Sequence, residues 1–165
     1  MPLFRRNDGD QNKPAPVDPD KPDPADSPEA LRRTLSQAVR FINGSAGQLP
    51  AKAVVNARRL TDTLAEIIDT SDVRPLDVYT VITLKGTLRD YLPTTLKGYL
   101  NVAPELRETP RPSGRTPAQS LLEQIDDLQT SASQVLIAAR DQDVDALMTQ
   151  GSFLRTKYSR SDLDL

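Results

Sequence analysis

The sequence predicts an all-α protein, an antiparallel helical bundle of four main helices plus one short helix. Apolar residues recur at three- and four-residue intervals through most of residues 28–158, and no stretch alternates apolar and polar residues as strands do. The connections are short, which favours antiparallel neighbours. Hydrophobic residues make up 37% of the chain and aromatic residues only 4%, so we expect coiled-coil-like aliphatic packing rather than a ligand pocket.

The first two helices have recognisable boundaries. Ser27, Pro28 and Glu29 are typical of an N-cap, a first helical residue and a first-turn acid, and Gly44 is expected to end that helix. The second helix is predicted over residues 51–69. The two apolar stripes contain Leu31, Leu35, Ala38, Val39 and Ile42, and Val54, Ala57, Leu60, Leu64, Ile67 and Ile68.

A third helix is predicted over residues 76–91, opened by Ser71, Asp72 and Pro75. Pro93 is expected to kink or break this helix, because its ring clashes with the carbonyl four residues earlier. A short helix with Leu96, Tyr99 and Leu100 then follows on a new axis.

The remaining helices follow an irregular crossover over residues 101–116, which hold three prolines and a glycine. Thr116 is the expected N-cap of the next helix. We expect a break near Gln142, with Asp143 as the N-cap of a last helix over residues 143–158. The helix between them has the clearest apolar period of the chain, at Leu121, Leu122, Ile125, Leu128, Ala132, Val135, Leu136 and Ala139.

Three regions are therefore predicted: a disordered leader at residues 1–27, the bundle at residues 28–158, and a flexible tail at residues 159–165. Residues 7–28 contain six prolines and six acids, and a segment of this composition buries too little apolar surface to offset its chain entropy.

The leader contains P-x-x-P spacings at Pro16/Pro19 and Pro19/Pro22, the spacing that SH3-type domains recognise. Aspartate stands between these prolines where such ligands usually carry apolar residues. An acidic, solvated spacer is therefore the favoured interpretation, and a protein ligand is the alternative.

Composition excludes several functions. The sequence contains no Cys and no His, so it has no thiolate nucleophile, no imidazole base and no Cys- or His-based metal site. Residues 1–27 carry a charge of −2, from four basic residues and six acids, and residues 28–165 carry 17 of each. A neutral bundle lacks the basic face of nucleic-acid binding. No catalytic residue, cofactor or metal is predicted, and no nucleic-acid partner is expected.

Four surfaces are candidates for binding a protein partner. The N-terminal residues pair apolar and basic side chains, an arginine pair lies on the second helix, tyrosines surround the proline corner, and the chain ends on an apolar carboxylate. The candidate residues are Leu3, Phe4, Arg5, Arg6, Arg58, Arg59, Tyr91, Pro93, Tyr99, Leu163 and Leu165.

The arginines admit two interpretations. Arg32–Arg33, Arg58–Arg59 and Arg89 would share one side of the bundle and grip an anion or an acidic partner. The favoured alternative pairs them with acids three or four residues away on the same helices, namely Glu29, Asp62 and Glu66.

The segments DYLPTTLKGYLNV, GRTPAQSLLEQIDDL and DVDALMTQGSFLRTKY together resemble the C-terminal part of XpaC-like proteins, over roughly residues 76–158. The closing pattern of that family falls on Asp145, Leu147, Phe153, Leu154, Lys157 and Tyr158. The resemblance implies a cytoplasmic helical protein linked to toxic-anion resistance of the TelA type or to envelope stress. The family is also associated with hydrolysis of a halogenated indolyl phosphate, but the resemblance brings no catalytic residue.

The predicted function is that of a non-enzymatic, cytoplasmic helical interaction or adaptor protein. Its partners are proteins, including a second copy bound through the stripe Leu121–Ala139. One alternative is a metal-dependent phosphate-ester hydrolase or anion-binding protein. A further alternative is a peripheral protein at the inner face of the membrane, anchored weakly by MPLFRR.

Overall fold

The computed structural model describes the backbone of residues 24–161 and the side chains of residues 24–152, and it confirms the all-α helical bundle. Within residues 24–161 there is no strand. Short 3-10 turns connect the helices or extend their ends. The α-helices are α1 (Pro28–Ser45), α2 (Ala51–Asp69), α3 (Val78–Lys85), α4 (Leu92–Leu100) and α5 (Pro117–Ser161).

Helices α1 and α2 form an antiparallel hairpin with the predicted boundaries. The Ser27 hydroxyl accepts a hydrogen bond from the Ala30 amide at 3.2 Å, so the predicted N-cap of α1 is confirmed. A 3-10 turn at Pro24–Asp26 precedes this cap, so these three residues, predicted as part of the disordered leader, are structured. Asp26 in that turn forms an ion pair of 2.5 Å with Lys85, which fixes the last residues of the predicted leader.

The third rod contains α3, a π-helical segment and α4. Its start at Asp77 differs from the prediction, and of the predicted kink or break at Pro93 the break does not occur. Helix α3 begins after Asp77, which accepts hydrogen bonds from the Thr80 amide at 2.9 Å and the Thr80 hydroxyl at 2.7 Å. The bond from the Thr80 amide, with that from its hydroxyl, lowers the pKa of the Asp77 carboxyl. The expected opening residues Ser71 and Asp72 belong instead to a 3-10 turn at the end of α2.

The helical backbone continues through Pro93 instead of breaking there. A π-helical segment, Gly86–Tyr91, links α3 to α4 and includes a bond from the Leu92 amide to the Thr87 carbonyl. A π-helical turn widens the helix locally, and it lies here on the N-terminal side of Pro93, where the proline ring would clash with a regular turn.

Helix α5 is one continuous helix, so the predicted break near Gln142 is wrong. Residues 140–143 are Arg-Asp-Gln-Asp, and without Pro or Gly nothing in the backbone requires a break. Asp143 is consequently not an N-cap; its carboxylate pairs with Arg74 at 3.1 Å. The predicted start is confirmed by a capping box. The Thr116 hydroxyl accepts a hydrogen bond from the Gln119 amide at 3.1 Å, and the Gln119 side-chain oxygen accepts one from the Thr116 amide at 3.0 Å. The helix also extends to Ser161, past the predicted start of the tail.

The four rods pack around one aliphatic core. Helix α5 packs along α2 and α4, α1 packs on α2, and the π-helical segment packs on α1. Burial of leucine and isoleucine side chains supplies the main stabilisation of such a bundle. The largest fully buried side chains are Leu31, Ile42, Leu60, Leu64, Ile67, Ile68, Leu84, Leu92, Leu96 and Ile125.

The apolar stripe that begins at Leu121 and ends at Ala139 packs within the bundle. Leu121, Ile125, Val135 and Ala139 are all buried within the bundle. Homodimerisation through a second face of this helix stays a prediction.

Candidate functional site

Helix α5 is much longer than the helices against which it packs. It has 45 residues against 19 in α2, about 68 Å against about 28 Å at the usual helical rise. Its first half lies in the bundle, and from Asp141 to Ser152 nearly every side chain is exposed. We call residues 141–152 the projecting segment of α5.

The projecting segment continues an exposed apolar row that begins on the bundle. Ile137 is 59% exposed, Val144 54%, Leu147 70% and Met148 67%. Ile137 follows the buried Val135 by two residues, a rotation of about 200°, so the row starts on the side of α5 that faces away from the core.

From Val144 onward the spacing of this row is that of a coiled-coil seam, whereas the charged Arg140 stands at the d position between Ile137 and Val144. Ile137, Val144 and Gly151 are seven residues apart, and Leu147 lies three residues after Val144. The sequence continues the same spacing at Leu154 and Tyr158. A heptad with apolar a and d positions places one continuous seam along a helix, which is the surface that a second helix packs against.

Two ion pairs hold the base of the projecting segment. Arg140 pairs with Glu66 of α2 at 2.5 Å. Arg74 pairs with Asp143 and also donates a hydrogen bond of 2.9 Å to the Ala139 carbonyl. Side chains before α3 therefore fix the point at which α5 leaves the bundle.

The predicted arginine face is not assembled. Arg32 bonds Asp69 at 3.2 Å and Asp72 at 3.0 Å across the α1–α2 hairpin, and these bonds, Asp72 first, raise the pKa of its guanidinium. Arg58 donates hydrogen bonds of 2.6 and 3.1 Å to the Asn43 side chain, at the opposite end of α1.

The same-helix pairing of these arginines is also wrong for Arg32, because its acids lie on and just after α2 rather than at Glu29. Arg59 is exposed on α2, next to Arg58 in sequence. Arg89 donates a bond of 3.5 Å to the Ala25 carbonyl.

The tyrosine corner divides into an exposed and a buried part. Tyr91 is 63% exposed, whereas Tyr99 is 8% exposed and has the Arg107 guanidinium 5.0 Å from its ring centroid. Arg107 also donates hydrogen bonds to the carbonyls of Gln48, Leu100 and Val102 at 3.0–3.1 Å. Tyr99 is therefore a structural residue.

Arg107 itself was not a candidate in the sequence. It lies in an irregular, proline-rich segment, and its partners are carbonyls, which every residue carries. The only local signal is its position shortly after α4, where a cation stabilises exposed C-terminal carbonyls.

Pro93 lines a groove of ≈ 320 Å³ between α1 and the rod formed by α3 and α4. The apolar part of the groove comes from Phe41, Leu92 and neighbouring aliphatic side chains. Arg89 lies along the groove, and the Lys97 ammonium is 5.7 Å from the centroid of the Phe41 ring.

The remaining predictions concern the terminal candidate residues, metal sites and membrane-spanning helices. Leu3, Phe4, Arg5, Arg6, Leu163 and Leu165 fall outside residues 24–161. Within the described side chains, no three acidic residues come together in a way that would hold a metal ion. Among the described helices, none combines the length and apolar character needed to cross a bilayer.

Comparison with family models, curated proteins and solved structures finds no match to this chain. The architecture defines a class, an up-and-down helical bundle with one overlong helix. The resemblance to XpaC-like proteins stays a prediction.

Proposed function

We propose that this chain is a non-enzymatic interaction protein that binds an amphipathic helix of another protein molecule along the exposed row of α5. The observation that carries the proposal is the exposure of Ile137, Val144, Leu147 and Met148 on a helix that extends past its bundle. Contiguous exposed apolar side chains favour association, since burying them removes apolar area from water.

A helix fits this row better than an extended peptide or a small molecule does. The row has heptad spacing, and no other described element flanks the projecting segment of α5. Knobs-into-holes packing needs only such a row and a partner with the same pattern. Asp141 and Asp145 beside the row favour a partner helix with basic residues at its edges.

The bundle acts in this proposal as a rigid support. Its core holds the first half of α5, and the pairs Arg74–Asp143 and Arg140–Glu66 set the direction of the projecting segment. Binding surfaces carried on rigid elements lose less conformational entropy on binding. A cytoplasmic location and a link to toxic-anion or envelope stress belong to the same proposal, on the strength of the XpaC-like resemblance.

The test compares two variants with equal charge changes on one helix. Leu147→Asp places a carboxylate in the row, and Thr149→Asp places one on the opposite face of the same turn. We expect full-length protein and Thr149→Asp to capture the same partner from a host extract, and Leu147→Asp to lose it. Circular dichroism checks that helix content is equal in all three.

Sedimentation velocity on the purified proteins identifies the source of the bound helix. Concentration-dependent self-association lost only in Leu147→Asp means that a second copy supplies it. Equal capture and equal sedimentation for Leu147→Asp and Thr149→Asp would contradict the proposal.

A further inference from the structure

We propose that the groove between α1 and the α3–α4 rod binds the chain's own N-terminal leader, through the segment Asp18–Asp23. This inference is independent of the interaction proposed for α5. It concerns a different face of the bundle and a different occupant.

The position of the chain brings the leader to this groove. Pro24–Asp26 is the first described turn, and it lies against the rod formed by α3 and α4. Asp26 pairs with Lys85, and the Ala25 carbonyl accepts a hydrogen bond from Arg89. Arg89 also lines the groove. The turn Pro24–Asp26, to which the leader is joined, therefore lies at one end of the groove.

The apolar surface and the positive charges of the groove complement an acidic, proline-rich segment. Aliphatic side chains and the ring of Phe41 form its apolar surface, and the cations Arg89 and Lys97 lie on one side of it. Polyproline segments dock on apolar and aromatic grooves, and flanking charges set their orientation. The leader supplies the opposite charge in Asp18, Asp20 and Asp23.

The spacing of the leader fits as well. In a polyproline II helix of about three residues per turn, Pro19 and Pro22 share one edge, and Asp20 and Asp23 share the next. Asp20 and Asp23 are then about 9 Å apart. Arg89 and Lys97 are eight residues apart on a helical rod, about 12 Å, with long side chains that cover the difference. In the proposed arrangement, Asp23 would pair with Arg89 and Asp20 with Lys97.

Covalent attachment makes a weak contact sufficient. The segment is joined directly to the turn at Pro24–Asp26, so its effective concentration at the groove is on the order of millimolar. Proline also restricts the unbound chain, which lowers the entropy lost on docking. The P-x-x-P spacings of the leader thereby acquire a binding partner inside the same molecule.

Carbodiimide coupling of the full-length protein tests the inference, because it joins only carboxylates and amines in direct contact. We expect peptides that link Lys97 to Asp18, Asp20 or Asp23 in the monomeric product, several-fold more abundant than links from the leader to Lys52, an exposed lysine on α2. High salt should reduce the Lys97 links.

Two matched charge reversals complete the experiment. Arg89→Glu removes a groove cation and keeps Lys97, and we expect it to lower the yield of Lys97 links several-fold. Arg59→Glu makes the same charge change on the exposed surface of α2 and should leave the yield unchanged. Equal yields at Lys97 and Lys52, an undiminished yield in Arg89→Glu, or links found only in a dimeric product would overturn the inference.

Discussion

The two halves of α5 have similar apolar spacings, but the apolar side chains are buried in the first half and exposed in the second. In the first half, Leu121, Ile125 and Val135 are buried against α2 and α4. In the second, Val144 and Leu147 face solvent. Periodicity therefore identifies an apolar face of a helix but not the element that covers it, because the covering depends on where the neighbouring helices end.

The largest expected difference between the halves is in core packing. Ile125→Ala should lower the free energy of unfolding by about 2–5 kcal/mol, since it removes a fully buried side chain and leaves a cavity. Leu147→Ala should change it by less than about 0.5 kcal/mol, since Leu147 is exposed. Chemical denaturation of the monomeric protein measures both. A comparable loss for Leu147→Ala would mean that the second half is covered.

A smaller effect is expected at the boundary of the halves. Arg74→Met leaves Asp143 without its ion pair and the Ala139 carbonyl without a side-chain donor. We expect a loss of about 1–2 kcal/mol and faster amide hydrogen exchange in residues 140–150. Arg33→Met, an exposed position on α1, is the control and should leave exchange there unchanged.

Asp77 offers a pH-dependent test of the end of the bundle next to the projecting segment. Asp77→Ala removes the N-cap of α3 and should cost about 1 kcal/mol at neutral pH. The pKa of Asp77 is lowered in the folded state, so its contribution is present above the usual carboxyl pKa and is lost as the pH falls through the lowered value. Wild type and variant should therefore converge in stability in acid. A difference that persists at low pH would contradict the role of the carboxylate.

The smallest expected effect is local to the projecting segment. Among the described residues, no atom outside the local helix backbone lies within 4 Å of an added Cβ at Gly151, so Gly151→Ala should stabilise that helix by up to about 1 kcal/mol. Slower hydrogen exchange in residues 147–152, with an unchanged unfolding midpoint of the bundle, is the expected signature. A shifted midpoint would show that the two halves unfold together.

Local signals predicted much of the fold. The caps Ser27 and Thr116 and the span of α2 are set by residues adjacent in sequence, and the structure confirms them. The predicted break near Gln142 was wrong because the acidic run there resembles an N-cap, and Asp143 was therefore predicted to begin a new helix. Asp143 has its partner in Arg74, which no local pattern reveals.

The candidate surfaces were harder to predict, because they depend on distant contacts. Arg32 finds its acids 37 and 40 residues away, and Tyr99 is covered by Arg107. The exposed row at Val144 and Leu147 lies in residues 143–158, which were predicted to form the last helix of the bundle. Only the relative lengths of α2 and α5 show that it has no cover within the described residues.

The contacts of Arg107 have a consequence for proteolysis. This side chain joins the carbonyls of Gln48, Leu100 and Val102, so it ties the connection after α1 to the crossover before α5. Trypsin needs an arginine that can leave its surroundings and enter the protease cleft in extended form. Arg107 does not meet that requirement, and the exposed Arg111 of the outer turn is followed by Pro112, so trypsin does not cleave the bond after it. The crossover should therefore resist trypsin after both of these arginines, for a packing reason at Arg107 and a covalent reason at Arg111.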